Sequence, residues 1–238
     1  MICDKLASEF WPGPVTLVLE KNNTVSDLIT SGLQTVGIRI PKSNLAQSFI
    51  LALGTPVAAP SANLFKKVSP TKASHVSDVF HQDDVFVIDD GPCEVGIEST
   101  IVKVTSDTLE ILRPGLISAS AFENIAREFN YSVIYTKNKD VSAPGMLEEH
   151  YCPVKPLNLI FADSFDEAKK LLLDNNTNWF ELSELPEIAA RELYQKMREA
   201  CSSDLATCSI WIKSGIKNQE SWKGILDRLK KASSKIYG

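Results

Sequence analysis

The 238-residue sequence predicts an α/β protein built in two parts. Hydrophobic residues make up 44% of the chain, which is enough for a buried core in one large or two smaller domains. Up to residue 140, short apolar runs between helical segments predict strands and helices. From residue 157 onward, strand and helix patterns alternate, which is typical of a small parallel α/β domain. We therefore predict domains at 1–140 and 157–238, joined by a proline-rich linker at 141–156.

The elements of the first part follow in chain order. Residues 2–10 predict a helix, which the Trp-Pro-Gly-Pro sequence at 11–14 ends, and residues 15–19 predict a strand. In the next predicted strand, 35–41, Thr35, Gly37 and Arg39 alternate with apolar residues and should share the face away from the main apolar layer. Further predictions are helices at 45–53 and 119–129, strands at 56–60, 85–89, 99–104 and 109–112, and a helix with Ser69 as its N-cap and Pro70 as its first residue.

The strands at 99–104 and 109–112 flank the polar turn Thr-Ser-Asp-Thr at 105–108. Folding the chain back at this turn brings the start of the first strand opposite the end of the second. Ser99 is therefore expected to lie close to Arg113.

The second part alternates more regularly. Strands are predicted at 157–161 and 208–212, and helices at 165–173, 186–200 and 220–232. The sequence has neither a GxGxxG nor a GxxxxGK motif, so the two commonest nucleotide-binding loops are absent from it.

Composition narrows the function classes. The formal net charge of −5 and a pI near 5.3 give no global basic field for a nucleic-acid backbone. No apolar run approaches the roughly 18 residues of a membrane span, and no signal-peptide pattern opens the chain. The five cysteines form no CxxC pair, which argues against structural zinc and a disulfide framework. We expect a soluble cytoplasmic protein with reduced thiols.

Polar side chains interrupt the apolar patterns of the first part. They are hydroxyls, one amide and two arginines, which are suited to holding phosphate and carboxylate oxygens. Taken singly, each is better explained by capping, a turn or a surface ion pair. No cysteine has an activating context and no GxSxG motif occurs, so no catalytic nucleophile and no metal ligand is predicted. The set consists of Thr35, Arg39, Ser61, Asn63, Ser69, Ser99 and Arg113.

Five segments together resemble the YrdC-like catalytic domain of threonylcarbamoyl-AMP synthases, which implies a twisted mixed sheet with helices for the first part. They are Trp-Pro-Gly-Pro-Val-Thr at 11–16, Val-Gly-Ile-Arg-Ile-Pro at 36–41, Ala-Pro-Ser-Ala-Asn at 59–63, Gly-Ile-Glu-Ser-Thr-Ile-Val at 96–102 and Leu-Arg-Pro-Gly at 112–115. The linker sequences Ala-Pro-Gly-Met at 143–146 and His-Tyr-Cys-Pro at 150–153 resemble the segment that leads to a C-terminal Rossmann-like domain in the two-domain branch.

The resemblance implies a reaction and a set of ligands. ATP, with Mg²⁺ on its phosphates, would react with L-threonine and bicarbonate or CO2 to give threonylcarbamoyl-AMP and pyrophosphate. A threonylcarbamoyl transferase complex that modifies tRNA would receive the product. By position in the motifs, Arg39, Ala59 and Ser99 would hold threonine. The ATP-binding positions would be Thr35, Ser61, Asn63, Ser69 and Arg113, with His150 and Tyr151 reaching the nucleotide from the linker.

The sequence departs from the family pattern in one respect, and two alternative functions compete with the synthase interpretation. The family's domain opens with a strand–helix portion that carries a lysine-x-arginine motif, and no residues before Met1 supply it here. We therefore expect little synthase activity of this chain, and either self-association through the exposed sheet edge or low stability of the chain alone. The alternatives are a non-catalytic RNA-binding module, with a weak RNA contact at Lys66, Lys67 and Lys72, and the carbamoyl-transfer domain of hydrogenase maturation factors.

Overall fold

The structure is a computed structural model that describes residues 1–81, 83–136 and 150–238. Its described residues form two compact units, one of residues 1–60 and 98–136 and one of residues 61–81, 83–97 and 150–238. The segment 61–97 thus groups with the C-terminal half of the chain. The division into domains at 140 and 157 stays a prediction, and the Ala-Pro-Gly-Met sequence at 143–146 lies outside the described residues.

The first unit is built on a five-stranded mixed sheet with the order β2-β1-β3-β4-β5. The central strands β1 and β3 are parallel, whereas β2 pairs antiparallel with β1 and β4 pairs antiparallel with β3. The edge strand β5 is parallel to β4. The strands are β1 (Val15–Glu20), β2 (Thr35–Ile38), β3 (Thr100–Val104), β4 (Thr108–Arg113) and β5 (Ser132–Tyr135).

Two of the helices in this unit, α1 (Ile2–Phe10) and α5 (Ala119–Glu128), pack on one face of the sheet. Leu6 and Phe122 are fully buried there against Leu17. Among the described residues, the opposite face has a small apolar cluster of Val18, Ile101 and Leu112. The unit also contains α2 (Asp27–Thr30) and α3 (Asn44–Leu53), and α3 has no buried residue although it is strongly apolar.

The second unit contains a four-stranded sheet with the order β7-β8-β6-β9, in which every pairing is parallel. Its longest helix, α7, buries seven residues, including Leu193 and Tyr194, because its apolar side chains recur with helical spacing. The strands are β6 (Leu157–Ala162), β7 (Thr177–Phe180), β8 (Thr207–Lys213) and β9 (Lys235–Tyr237). The helices are α4 (Ala73–Ser77), α6 (Phe165–Leu172), α7 (Pro186–Cys201) and α8 (Lys223–Ala232), with 3-10 turns at Ser214–Ile216 and Glu220–Trp222.

Most of the predicted elements are confirmed. The helix at 2–10, the strand at 15–19 and the hairpin of 99–104 with 109–112 are present with small shifts of their ends. The predicted elements of residues 157–232 are present as well, and their sheet is parallel as expected. In the described part of the chain, no helix is both long enough and apolar enough to cross a bilayer.

Four predictions of local structure are wrong. Residues 56–60 and 85–89 form no strands, because neither segment pairs with another described segment, and Phe86 stays 89% exposed. Ser69 is not an N-cap, since α4 begins only at Ala73 and its capping position is Lys72. The strand predicted at 35–41 ends at Ile38, and the apolar face expected of it is half-exposed at Ile38 and Ile40.

Candidate active site

A polar cluster of Thr16, Ser99 and Arg113 lies in the first unit. The hydroxyls of Thr16 and Ser99 share a hydrogen bond of 2.8 Å. The Arg113 guanidinium donates from Nε and Nη2 to the Ser99 carbonyl, at 3.1 and 3.0 Å, and from Nη2 to Ser99 Oγ at 3.2 Å. Ser99 and Arg113 are both buried. The predicted proximity of Ser99 and Arg113 is confirmed.

The sheet register produces this cluster. The first residues of β1 and β3 are aligned, with Val15 opposite Thr100, so that Thr16 and Ser99 come together. On the other side of β3, the register shifts so that Ile101 faces Arg113 while Val102 faces Ile111. At this point β4 has one more residue than β3, which makes a β-bulge. A bulge changes the direction of the side chains beside it. Arg113 thereby reaches across the start of β3.

The backbone behind the cluster is closely packed. A Cβ on Gly115 would lie 2.4 Å from the Thr100 nitrogen and 2.9 Å from the Glu98 carbonyl oxygen, so no side chain fits there. Thr100 donates its N–H to the Pro14 carbonyl and its hydroxyl to the Ile117 carbonyl. The Leu-Arg-Pro-Gly segment is therefore held directly against the segment that carries Ser99.

Thr35, Gly37 and Arg39 were predicted to share a strand face away from the main apolar layer. For Gly37 this is confirmed, because its nearest side chains are Thr16 and Val18, which lie opposite the α1 and α5 side of the sheet. A Cβ on Gly37 would come within 3.3 Å of the Thr16 methyl group, so glycine keeps this face open. Thr35 pairs with Glu20.

Arg39 follows β2 directly and is exposed. The ladder aligns Leu17 with Ile38, and its extension by one residue aligns Thr16 with Arg39. Opposed residues of an antiparallel pair lie on the same face. The register therefore directs Arg39 toward the face that holds the polar cluster. Ala59, the third predicted threonine contact, is exposed in an irregular segment and can offer only its backbone.

Three of the predicted ATP contacts, Ser61, Asn63 and Ser69, belong to the second unit. Ser61 is exposed, while the Asn63 amide donates to the carbonyls of Leu64 and Lys67. The Ser69 carbonyl accepts a hydrogen bond of 3.3 Å from Arg198. Asn63 thus organises a local turn, and Ser69 is held by α7 instead of opening a helix.

His150 and Tyr151 also belong to the second unit. Tyr151 is 1% exposed, with its ring stacked 5.8 Å from that of Tyr194 and the Arg228 guanidinium 5.3 Å from its centre. The backbone N–H of His150 donates to the Lys231 carbonyl. In this conformation Tyr151 is a core residue of the second unit, and its predicted contact with a nucleotide stays a prediction.

His75 has a perturbed environment in the second unit. Its Nδ1 accepts the Thr71 backbone N–H at 3.2 Å, which requires that nitrogen to be unprotonated. Burial lowers the pKa of His75 below its ordinary value of 6.5, and the positive charges of Arg198 and Lys72 lower it further. The imidazole is therefore neutral at physiological pH.

Thr16 is the residue of the cluster that the sequence argument did not single out. Its hydroxyl contacts Ser99, yet it occurs inside the apolar run Val-Thr-Leu-Val-Leu at 15–19. The signal was the alternation of that strand, in which Thr16 faces away from Val15 and Leu17. Within the residues that the structure describes, no three His, Cys, Asp or Glu side chains converge as a metal site.

The cluster of Thr16, Ser99 and Arg113 has side chains that are suited to binding anions. A buried guanidinium beside two hydroxyls offers charge-assisted hydrogen bonds to carboxylate or phosphate oxygens. None of these side chains is an activated nucleophile, so the cluster is equipped to bind and orient.

Known families match both halves of the chain. A family model described as "Telomere recombination", of the Sua5, YciO and YrdC group, matches residues 2–115. A second model, "Threonylcarbamoyl-AMP synthase, C-terminal domain", matches residues 108–234. Together they extend over nearly the whole sequence.

Individual relatives are also named threonylcarbamoyl-AMP synthase. The threonylcarbamoyl-AMP synthase of Pyrococcus abyssi is 32% identical over 97% of this chain and 73% of its own length. Those of Bacillus subtilis (40% identical) and Schizosaccharomyces pombe (32%) align with 64% and 70% of this chain and with 44% and 45% of their own lengths. The crystal structure of P. abyssi Sua5 complexed with L-threonine matches 99% of this chain and 75% of that one, with a TM-score of 0.85 and 28% identity.

The fold and the matches define a two-part α/β protein of the Sua5, YciO and YrdC group, as the motifs implied. The chain belongs to the threonylcarbamoyl-AMP synthase family. It spans about three quarters of the length of the P. abyssi relative and less than half of the B. subtilis and S. pombe relatives.

Proposed function

We propose that this chain binds L-threonine and ATP and contributes to the synthesis of threonylcarbamoyl-AMP. The observation that carries the proposal is the Arg113 guanidinium held on Ser99, with Thr16 beside it. The match to a Sua5 structure complexed with L-threonine supports the amino-acid ligand.

In the proposed threonine site, Ser99 offers its hydroxyl and Arg39 its guanidinium. An arginine fork can bind a carboxylate with two parallel hydrogen bonds, which a lysine cannot do. Gly37 supports the proposal because its missing side chain leaves space next to Thr16. Ala59 would add backbone groups.

The proposed ATP contacts are those implied by the family motifs. Arg113 supplies charge next to Ser99, and its fixed orientation means that little reorganisation is needed when an anion binds. ATP would arrive with Mg²⁺ on its phosphate oxygens, and we assign no protein ligand to that ion. The other proposed contacts are Thr35, Ser61, Asn63, Ser69, His150 and Tyr151.

The proposed reaction needs positioning more than covalent catalysis. The threonine amine and bicarbonate or CO2 give a carbamate, and its carboxylate oxygen attacks the α-phosphorus of ATP. The bond between the α-phosphorus and its bridging oxygen breaks, and pyrophosphate leaves. Holding two anionic reactants in line, with their charge neutralised by arginine, can supply most of the rate enhancement.

The wider assignments rest on the resemblance alone. They are transfer of the product to a tRNA-modifying complex, a weak RNA contact at Lys66, Lys67 and Lys72, self-association through the sheet edge and a cytoplasmic location. Each stays a prediction.

Threonine titration of a matched pair of serine variants tests the proposal. Ser99→Ala removes the hydroxyl bonded to Thr16 and Arg113, whereas Ser120→Ala removes an exposed hydroxyl of α5. We expect Ser99→Ala to weaken threonine binding about tenfold, equivalent to about 1.4 kcal/mol, with Ser120→Ala unchanged. Equal threonine affinity in both variants would contradict the site assignment.

A further inference from the structure

Two buried cysteine thiols of the second unit lie in direct contact. Cys201 is the last residue of α7 and Cys208 is the second residue of β8. They are 3% and 0% exposed, and their sulfur atoms are 2.9 Å apart. An S–S bond is about 2.05 Å long, so the sulfurs need to approach by only roughly 0.9 Å to become bonded.

The segment between the two cysteines is held at both ends. Lys155 donates from Nζ to the carbonyls of Ser203 and Leu205, the latter at 2.8 Å. The Cys208 N–H donates to the Pro156 carbonyl at 3.0 Å, which aligns the start of β8 with the residue before β6. The juxtaposition of the sulfurs is therefore fixed by the turn from α7 to β8 and by Lys155.

The environment of the two sulfurs is asymmetric. A hydrogen bond from the Cys208 thiol, together with the nearby Lys155, lowers the pKa of Cys201 to about 7, against the opposing effect of burial. The same hydrogen bond, followed by burial, raises the pKa of Cys208. The lowered pKa of Cys201 favours Cys201 as the thiolate of the pair, with the Cys208 thiol as the hydrogen-bond donor.

We propose that Cys201 and Cys208 form a reversible redox pair that closes to an intramolecular disulfide when the protein meets a peroxide. The Cys201 thiolate attacks one oxygen of hydrogen peroxide, the O–O bond breaks, and Cys201 becomes a sulfenic acid as hydroxide leaves. The Cys208 sulfur then attacks the sulfenic sulfur, the S–O bond breaks, and the S–S bond forms. The proton of Cys208 leaves with the departing oxygen, so two thiols and one peroxide give one disulfide and two water molecules.

This proposal differs from an inert packing role, in which buried cysteines behave as small hydrophobic side chains. Inert thiols would survive peroxide treatment of the folded protein. A redox pair loses both thiols together and regains both on reduction. The bond would join the end of α7 to the start of β8 without moving either element far.

Peptide mapping of the unmodified chain gives a direct test. Trypsin cleaves after Arg198 and Lys213, so both cysteines fall in the single peptide 199–213. The folded protein is treated with hydrogen peroxide, unfolded, alkylated with N-ethylmaleimide and digested. We expect this peptide to be about 2 Da lighter and to carry no maleimide. Dithiothreitol before alkylation should restore a peptide with two maleimides.

Two single variants assign the roles. In Cys208→Ser the sulfenic acid of Cys201 cannot be resolved, so dimedone should label the 199–213 peptide after peroxide treatment. In Cys201→Ser the same peptide should stay a thiol. Peroxide-treated wild-type protein whose 199–213 peptide still carries two maleimides would overturn the proposal, whether or not either variant folds. Dimedone labelling of Cys201→Ser in place of Cys208→Ser would overturn the assignment of the attacking sulfur.

Discussion

The bond between Arg113 and Ser99 supports the most detailed prediction. Arg113 is 7% exposed and donates three hydrogen bonds to Ser99, two to the carbonyl and one to the hydroxyl. Hydrogen bonds from a charged donor contribute about 1.5–3 kcal/mol each, and removing one partner leaves the other buried and unsatisfied. We expect Arg113→Ala to lower the free energy of local unfolding of the first unit by about 3 kcal/mol.

Ser99→Ala removes only the hydroxyl, with its bonds to Arg113 and Thr16. Its expected cost is about 1–2 kcal/mol. Because the two side chains are bonded to each other, the double variant should be less destabilised than the sum of the singles, by about 1 kcal/mol. Arg127→Ala, which removes an exposed arginine of α5, should cost at most about 0.5 kcal/mol and serves as the control.

Hydrogen exchange of the amides in β1, β3 and β4 measures the free energy of local unfolding of the first unit in the wild type, the single variants and the double variant. The expected result is faster exchange in these strands for Arg113→Ala and an unchanged rate for Arg127→Ala. Additive costs of Arg113→Ala and Ser99→Ala, or equal effects of the two arginine variants, would refute the described contact.

Three further predictions concern specificity, pH and the linker. Arg39→Lys should weaken threonine use more than ATP use in steady-state kinetics, because lysine cannot replace a bidentate fork; equal losses for both substrates would reject this role. The pKa of His75 is lower in the folded state than its ordinary value of 6.5, so the unfolded state is protonated first as pH falls, and the free energy of unfolding should drop below about pH 6.5. His75→Gln should flatten this dependence in urea titrations at pH 5–7, and an unchanged slope in this variant would contradict the prediction. ATP with threonine should slow limited proteolysis within residues 141–156, because the proposed nucleotide contacts His150 and Tyr151 belong to this stretch, and cleavage at the same rate with and without these ligands would argue against those contacts.

Local periodicity explains the elements that could be predicted from the sequence. The helices α1, α5 and α7 each bury one regularly spaced apolar stripe, and the hairpin of β3 and β4 is encoded by two apolar runs around one polar turn. The same hairpin brings Ser99 next to Arg113. This contact could be predicted from the sequence because it lies between two strands that are joined by one short turn.

Other features depend on tertiary contacts that a local pattern does not contain. The strands β7 and β9 are short, and β9 at the sheet edge has polar and exposed residues, so neither has a clear alternation. Tyr151 looked like a linker residue, yet stacking on Tyr194 places it in a core. Ser69 precedes a proline as N-caps often do, but its carbonyl is bound by Arg198, 129 residues further along the chain.

Pyrophosphate release is the measurement that tests the central claim most directly. The chain is incubated with ATP, L-threonine and bicarbonate, and with each of these omitted in turn. We expect release that requires all three reactants and that, at threonine well below its KM, falls about tenfold in Ser99→Ala but not in Ser120→Ala. Release that continues without threonine, or no release with all three reactants, would contradict the proposed synthase function.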